Sequence, residues 1–221
     1  MTHNTLERST QQTHDVLADR LDQAAHAQPS RERPRDRFPA IDTFLASTSR
    51  HVAAATHLLP QAAHRHQGDE EQIRALRVAG HNLEIALART KAKLYGEAHA
   101  VRLTWPAVWS EVDERFADYW RCEDSVVTQL ATTLSDDQAD ELAMALYRAE
   151  LRAPTRPHPY VPHRGVPGRV ARRICVQVDK FWDTTEGRMV PEPVRPHNRE
   201  ADGPITQYLL ADPHFVEEAD G

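Results

Sequence analysis

The chain has 221 residues, of which 40% are hydrophobic, and its formal net charge is −6. This length accommodates one domain of roughly 150 residues with tails, or one larger domain. The negative charge argues against nucleic-acid binding, and no stretch approaches the roughly 20 apolar residues that a membrane-spanning helix needs. Because the N-terminus also lacks the continuous apolar region of a secretory signal, the sequence predicts a cytoplasmic protein.

The N-terminal residues 1–37 are polar and contain two prolines. Such a composition predicts a mobile segment, in which a short amphipathic helix fits between Leu6 and Ala25. The helical bundle is expected to span residues 38–190. Residues 191–221 are acidic and rich in proline, which predicts a tail outside the bundle.

Four segments of the central region repeat apolar residues at helical spacing, and each has a start or stop signal. These signals, in chain order, are Pro39, Pro60, Asp69, Gly96, the Thr104-Trp105-Pro106 run and the Ser135–Gln138 capping box. The first helix is predicted to begin after Pro39 and to end or kink at Pro60. Helices of this length with short connections predict an all-α, up-and-down four-helix bundle.

A proline- and histidine-rich connector, residues 153–167, follows the fourth helix and is predicted to be extended. An extra C-terminal helix is predicted from about Gly168 to Asp183. Between Arg148 and Arg173 there are seven arginines and one acid. This stretch is either a solvated basic face, a binding site for a phosphate-bearing ligand, or a contact for the acidic tail.

Three charged or titratable side chains fall within the apolar stripes of the predicted helices, namely His51, Glu84 and Glu123. Such groups are costly in a core unless something pairs with them, so they indicate either a metal site or a buried hydrogen-bond network. His81 lies three residues before Glu84, and Tyr119 lies four residues before Glu123, so each is a neighbour on its helix.

In the metal interpretation, His51, His81, Glu84 and Glu123 are the candidate ligands. Tyr119 is then an outer hydrogen-bond donor, or a phenolate ligand if the ion is ferric. Mixed nitrogen and oxygen ligands suit iron, manganese or zinc. In the alternative, Tyr119 hydrogen-bonds to a buried Glu123 and no metal is needed. No phosphate-binding loop or catalytic motif appears, so the sequence favours a binding protein over an enzyme.

The predicted bundle, His51, the two buried acids and the run Thr155-Arg156-Pro157-His158-Pro159 before a final helix resemble bacterial hemerythrin-like (HHE cation-binding) proteins, over residues 36–192. The resemblance implies a four-helix bundle with a non-haem iron centre that binds dioxygen or another small diatomic molecule, in oxygen or redox sensing or in storage.

The chain departs from the family pattern, in which a histidine precedes a glutamate by four residues on two helices. Here His81 precedes Glu84 by three residues, and Tyr119 occupies the position four before Glu123. The implied centre is therefore mononuclear or dinuclear iron with a reduced ligand set. The alternative is a bundle that has lost its metal and serves as an interaction module.

Overall fold

Five α-helices dominate the computed structural model, which describes residues 4–27, 37–96, 102–157 and 190–196. In chain order they are α1 (Thr5–His26), α2 (Arg37–Arg65), α3 (Glu70–Leu94), α4 (Trp105–Thr133) and α5 (Asp136–Glu150). These described ranges contain no strand, which confirms the predicted all-α fold. None of the five helices has the length and apolar content needed to cross a bilayer.

The core lies between α1, α2, α3 and α4, each of which packs against the next, with α4 returning to α1. The shorter helix α5 packs against α1 and α2. Large apolar side chains from all four core helices are fully buried, among them Leu6, Phe44, Leu83 and Leu130. Burying each such side chain contributes about 1.5–3 kcal/mol, so this shared interior is the main source of stability.

Helix α1 belongs to the bundle, which corrects the sequence-based boundary at residue 38. A capping box joins Asn4 and Glu7 at its start, and Leu17 is buried against the other helices. Much of the buried face of α1 is polar. Ser9 and Thr13 satisfy their hydroxyls by donating to carbonyls of the same helix. Hydrophobic periodicity counts only apolar residues, so it does not detect a buried helix face that is built largely from serine and threonine.

Helix α2 begins at Arg37, three residues earlier than predicted, and does not end at Pro60. Pro39 lies in the first turn, where a missing N–H leaves no hydrogen bond unmade. Pro60 lies inside the helix, which continues to Arg65. The last turns are held by the buried side chains of Ala62 and Ala63, so tertiary packing offsets the lost backbone hydrogen bond.

The predicted starts of the next three helices are confirmed. The Asp69 side chain accepts from the Glu71 N–H at the start of α3. Thr104 caps α4, with proline in its first turn. Ser135 and Gln138 form the expected capping box of α5. The predicted helix 168–183, most of the connector and the tail beyond residue 196 lie outside the described residues.

Gly80 allows α3 to approach α2 closely. A Cβ atom built at this position would lie 2.5 Å from Thr56 Cγ2 and 3.5 Å from Tyr119 Cε2. We expect Gly80→Ala to lower the free energy of unfolding by about 1–3 kcal/mol, because the stiff Thr56 side chain cannot move away without repacking.

The test is a thermodynamic cycle measured by chemical denaturation. In a Thr56→Ser background the clashing methyl group is absent, and Gly80→Ala should then stabilise the protein by up to about 1 kcal/mol through helix propensity. If Gly80→Ala lowers the free energy of unfolding equally in both backgrounds, the contact between residue 80 and the Thr56 methyl group is not the cause.

Candidate metal centre

Two imidazoles and one carboxylate from three different helices meet in the core. His14 on α1 and His51 on α2 both direct Nε2 toward Oε2 of Glu123 on α4, at 3.1 Å and 3.0 Å. The three side chains are buried, with exposed fractions of 2%, 3% and 0%. One nitrogen or oxygen atom from each lies within 4.8 Å of the others. The bundle therefore gathers three metal-ligand atoms in one place.

The separations of these atoms match those around a coordinated ion. Two ligand atoms that each lie about 2.1 Å from an ion are about 3.0 Å apart at a right angle and about 4.2 Å apart when opposite. The two contacts to Glu123 Oε2, at 3.0 and 3.1 Å, fit adjacent coordination positions. The same separations are also those of ordinary hydrogen bonds, so the geometry fits a metal-ligand set and a metal-free network alike.

Each histidine also has an acid on the far side of its ring. His51 Nδ1 lies 2.9 Å from Oε1 of Glu150, the last residue of α5. His14 Nδ1 lies 3.6 Å from Oδ1 of Asp124. Metal-ligating histidines usually direct the second ring nitrogen to such a partner, which fixes the tautomer and the ring orientation. The hydrogen bond to Glu150 consequently holds the His51 ring with Nε2 facing the shared centre, whereas the His14–Asp124 contact is longer than a hydrogen bond.

Without an ion, the cluster is a buried charge network centred on His51. Burial alone would lower the pKa of His51, but the Glu123 and Glu150 carboxylates outweigh it and hold this pKa well above its ordinary value. Burial alone would raise the pKa of Glu123, but His51 and a hydrogen bond from His14 lower it to about 2. At neutral pH the metal-free His51 is therefore an imidazolium between two carboxylates.

Three buried polar atoms beside this network have no hydrogen-bond partner among the described residues: Glu123 Oε1, the Tyr119 hydroxyl and Trp120 Nε1. Burial first, and then the charges of Glu123 and Glu150, raise the pKa of the Tyr119 phenol well above its ordinary value. The hydroxyl therefore lies close to the Glu123 carboxylate, although no hydrogen bond of ordinary geometry joins the two. Orphaned buried polar atoms are uncommon and fit a site that takes a further ligand.

Aromatic rings close the space around the two histidines. The His14 ring stacks on Trp120, with centroids 4.6 Å apart and planes 16° apart. Trp120 in turn contacts Phe116, and the Tyr119 ring meets His51 edge-on at 6.2 Å. These rings limit rotation of the imidazoles and keep the cluster in a largely apolar surrounding, which strengthens its electrostatic interactions.

Of the residues that the sequence singles out, the structure brings His51, Glu123 and Tyr119 together. Glu84 is buried and acts on the pKa of Tyr119, but it is not part of the three-residue cluster. His81 is exposed. The buried face of α3 runs through Gly80 and Glu84, and His81 lies about 100° around the helix from Gly80, so its side chain points away.

Two residues of the site were missed by sequence reasoning. His14 lies three residues before Leu17 and seven before Leu21, which is the spacing of one helix face. That signal was present, but α1 was assigned to a mobile segment. Glu150 is the last residue of α5 and lies within the basic stretch that begins at Arg148. Its approach to His51 depends on how α5 packs on α2. Residue spacing within one helix does not predict how two helices pack against each other.

Comparisons with protein-family models, with curated proteins and with solved structures found no significant match. The hemerythrin-like resemblance thus stays a prediction from the sequence. The chemistry of the site rests on its own residues and their geometry.

Proposed function

We propose that this protein binds one divalent transition-metal ion in the bundle core, with iron as the first candidate. The ligands are Nε2 of His14, Nε2 of His51 and the carboxylate of Glu123. One observation supports this proposal above the others: two buried imidazoles face a single carboxylate oxygen, and His51 has the Glu150 carboxylate hydrogen-bonded behind it. This is the arrangement that orients histidines for metal binding.

The donor set points to iron. Two histidines and one carboxylate, with further positions open, suit non-haem ferrous iron, and the same donors also accept cobalt, manganese or zinc. A bound iron ion would supply redox chemistry and could bind a small molecule such as dioxygen. We therefore propose a role in oxygen or redox sensing or in iron storage, in agreement with the hemerythrin-like layout of the sequence.

The residues around the three ligands have distinct tasks in this proposal. Glu150 accepts from His51 Nδ1–H and keeps Nε2 directed at the ion. Tyr119 provides a hydroxyl donor beside Glu123, available to that carboxylate or to a small molecule at the centre. Trp120 and Phe116 exclude water from the side of His14.

A second candidate function follows from the charge network itself. His51 already lies between two carboxylates, at 3.0 Å from Glu123 and 2.9 Å from Glu150. In such an ion-paired cluster, the two carboxylates neutralise the charge of His51 and accept its two hydrogen bonds, so no metal is needed. In this case the cluster specifies how the helices pack, and the bundle acts as an interaction module.

Cobalt titration separates the two candidates, because metal binding must displace a proton from His51. The pKa of His51 lies well above 6.5, so Nε2 carries a proton at pH 7 in the metal-free protein. We expect Co²⁺ binding to release at least one proton per ion, and the affinity to rise about tenfold per pH unit below that pKa.

Proton release is measured by titration calorimetry in buffers of different ionisation enthalpy, beside the visible spectrum of bound cobalt. His57→Ala is the matched control, because His57 is an exposed histidine of the same helix. The control should bind as the parent does, whereas His51→Ala should lose the high-affinity site. Saturable cobalt binding that both variants retain would contradict the proposed centre, and no binding at all would favour the metal-free network.

A further inference from the structure

The chain returns to the bundle at residues 190–196, a segment we call the strap. It lies beside the outer end of the His51–Glu150 pair, where Pro191, Pro193 and Val194 line a small cavity together with Glu150. The rest of the lining comes from α1 and α2: Thr13, Val16, Leu17, Arg20, Ser47 and Arg50. The strap therefore covers the acid that orients His51.

Hydrogen bonds from Arg50 and Tyr147 attach the strap. Arg50 Nη1 donates to the Pro191 carbonyl at 3.1 Å, and the Tyr147 hydroxyl donates to Glu192 Oε1 at 2.6 Å. Along the strap, Glu192 and Arg195 are exposed and the intervening residues are partly buried. An exposed position every third residue is the periodicity of a polyproline helix, whose prolines reduce the entropy lost on docking.

The cavity under the strap is polar and very small. Its volume is about 10 Å³, which is room for about one water molecule. Arg20 donates to the Ser47 hydroxyl at 2.6 Å within its wall, and Glu150 itself is only 7% exposed. The docked strap thus leaves room for no more than about one water molecule beside Glu150, and this low solvent access strengthens the hydrogen bond between Glu150 and His51.

We propose that the strap is a lid on Glu150 that controls how fast the metal centre exchanges its ion. When the strap lifts, water reaches Glu150 and competes for its carboxylate, and His51 is freed to turn away from the centre. The proposed effect of the strap on ion exchange rests on the proposed metal site. The lid itself does not, because docking of the strap involves only residues of the metal-free protein.

The first test uses the metal-free full-length protein. Pro193→Gly/Val194→Gly should undock the strap, and Tyr147→Phe should weaken it. Labelling by an arginine-specific dicarbonyl, followed by peptide mass spectrometry, should proceed about tenfold faster at Arg20 and Arg50 in the double variant. Exposed Arg74 serves as the internal control and should be labelled equally in all proteins. Equal labelling of Arg20 and Arg50 in parent and double variant would overturn the lid.

The second test follows the release of bound Co²⁺ to excess chelator. The double variant should release cobalt about tenfold faster than the parent, with the same visible spectrum at equilibrium, and Tyr147→Phe should fall between them. The matched control is Tyr95→Phe, which also removes a tyrosine hydroxyl that donates a solvent-exposed hydrogen bond to a carboxylate, that of Asp42.

The outcomes separate the lid from the metal site. Faster labelling with unchanged cobalt release would overturn the link between strap and centre. If the parent protein binds no cobalt, both the proposed metal site and the proposed effect of the strap on ion exchange are wrong. The labelling rates of Arg20 and Arg50 would still decide whether the strap is a lid.

Discussion

Replacing Glu123 with alanine is expected to lower the free energy of unfolding of the metal-free protein by about 3–5 kcal/mol. The reason is that the substitution leaves the imidazolium of His51 and the ring of His14 buried without the carboxylate that both contact. Denaturation followed by circular dichroism measures this loss. Glu114→Ala is the matched control, since Glu114 is an exposed acid of the same helix and should change stability by less than about 0.5 kcal/mol.

The effect of Glu123→Ala should also depend on pH. The pKa of Glu123 is about 2 in the folded protein and near 4.5 when unperturbed. A depressed carboxyl pKa stabilises the fold above the unperturbed value, and this stabilisation is lost as the pH falls from 4.5 toward 2. The difference between parent and variant should therefore shrink over that window. Equal stability of the two proteins at pH 6 would contradict the buried network.

Replacing His14 with alanine is expected to weaken metal binding by at least about 100-fold. Loss of an outer partner of a metal-bound histidine typically costs 10–100-fold, and loss of a direct ligand costs more. Competition titrations with a chelating dye measure the affinity for cobalt or ferrous iron. His26→Ala is the control, because His26 is a mostly exposed histidine of the same helix. Unchanged affinity in His14→Ala would exclude α1 from the centre.

The hydrophobic periodicity and helix caps were sufficient to predict α2 to α5. Their apolar stripes are long, and Asp69 and Ser135 are strong start signals. The same periodicity placed His51 and Glu123 on core faces, where the structure brings them into contact. Local pattern therefore predicted the position of the candidate centre along two helices, α2 and α4, since burial of one face is a property of a single helix.

Pairing between helices could not be predicted in the same way. His14 contacts Glu123 across 109 residues of sequence, and Glu150 contacts His51 across 99. Such contacts depend on how α1 and α5 pack, and the packing of α1 relies on a face rich in hydroxyl groups. His81 illustrates the opposite error: its spacing to Glu84 allows a shared site, but the rotation of α3 leaves His81 exposed.

The metal content of the full-length protein, purified without an affinity tag, tests the central claim most directly. Elemental mass spectrometry should find close to one transition-metal ion, iron first, per chain in the parent and in His26→Ala, and only traces in His14→Ala. Metal at trace level in the folded parent, even after loading with ferrous iron or cobalt without oxygen, would contradict the proposed centre. In that case His14, His51 and Glu123 would form a structural charge network.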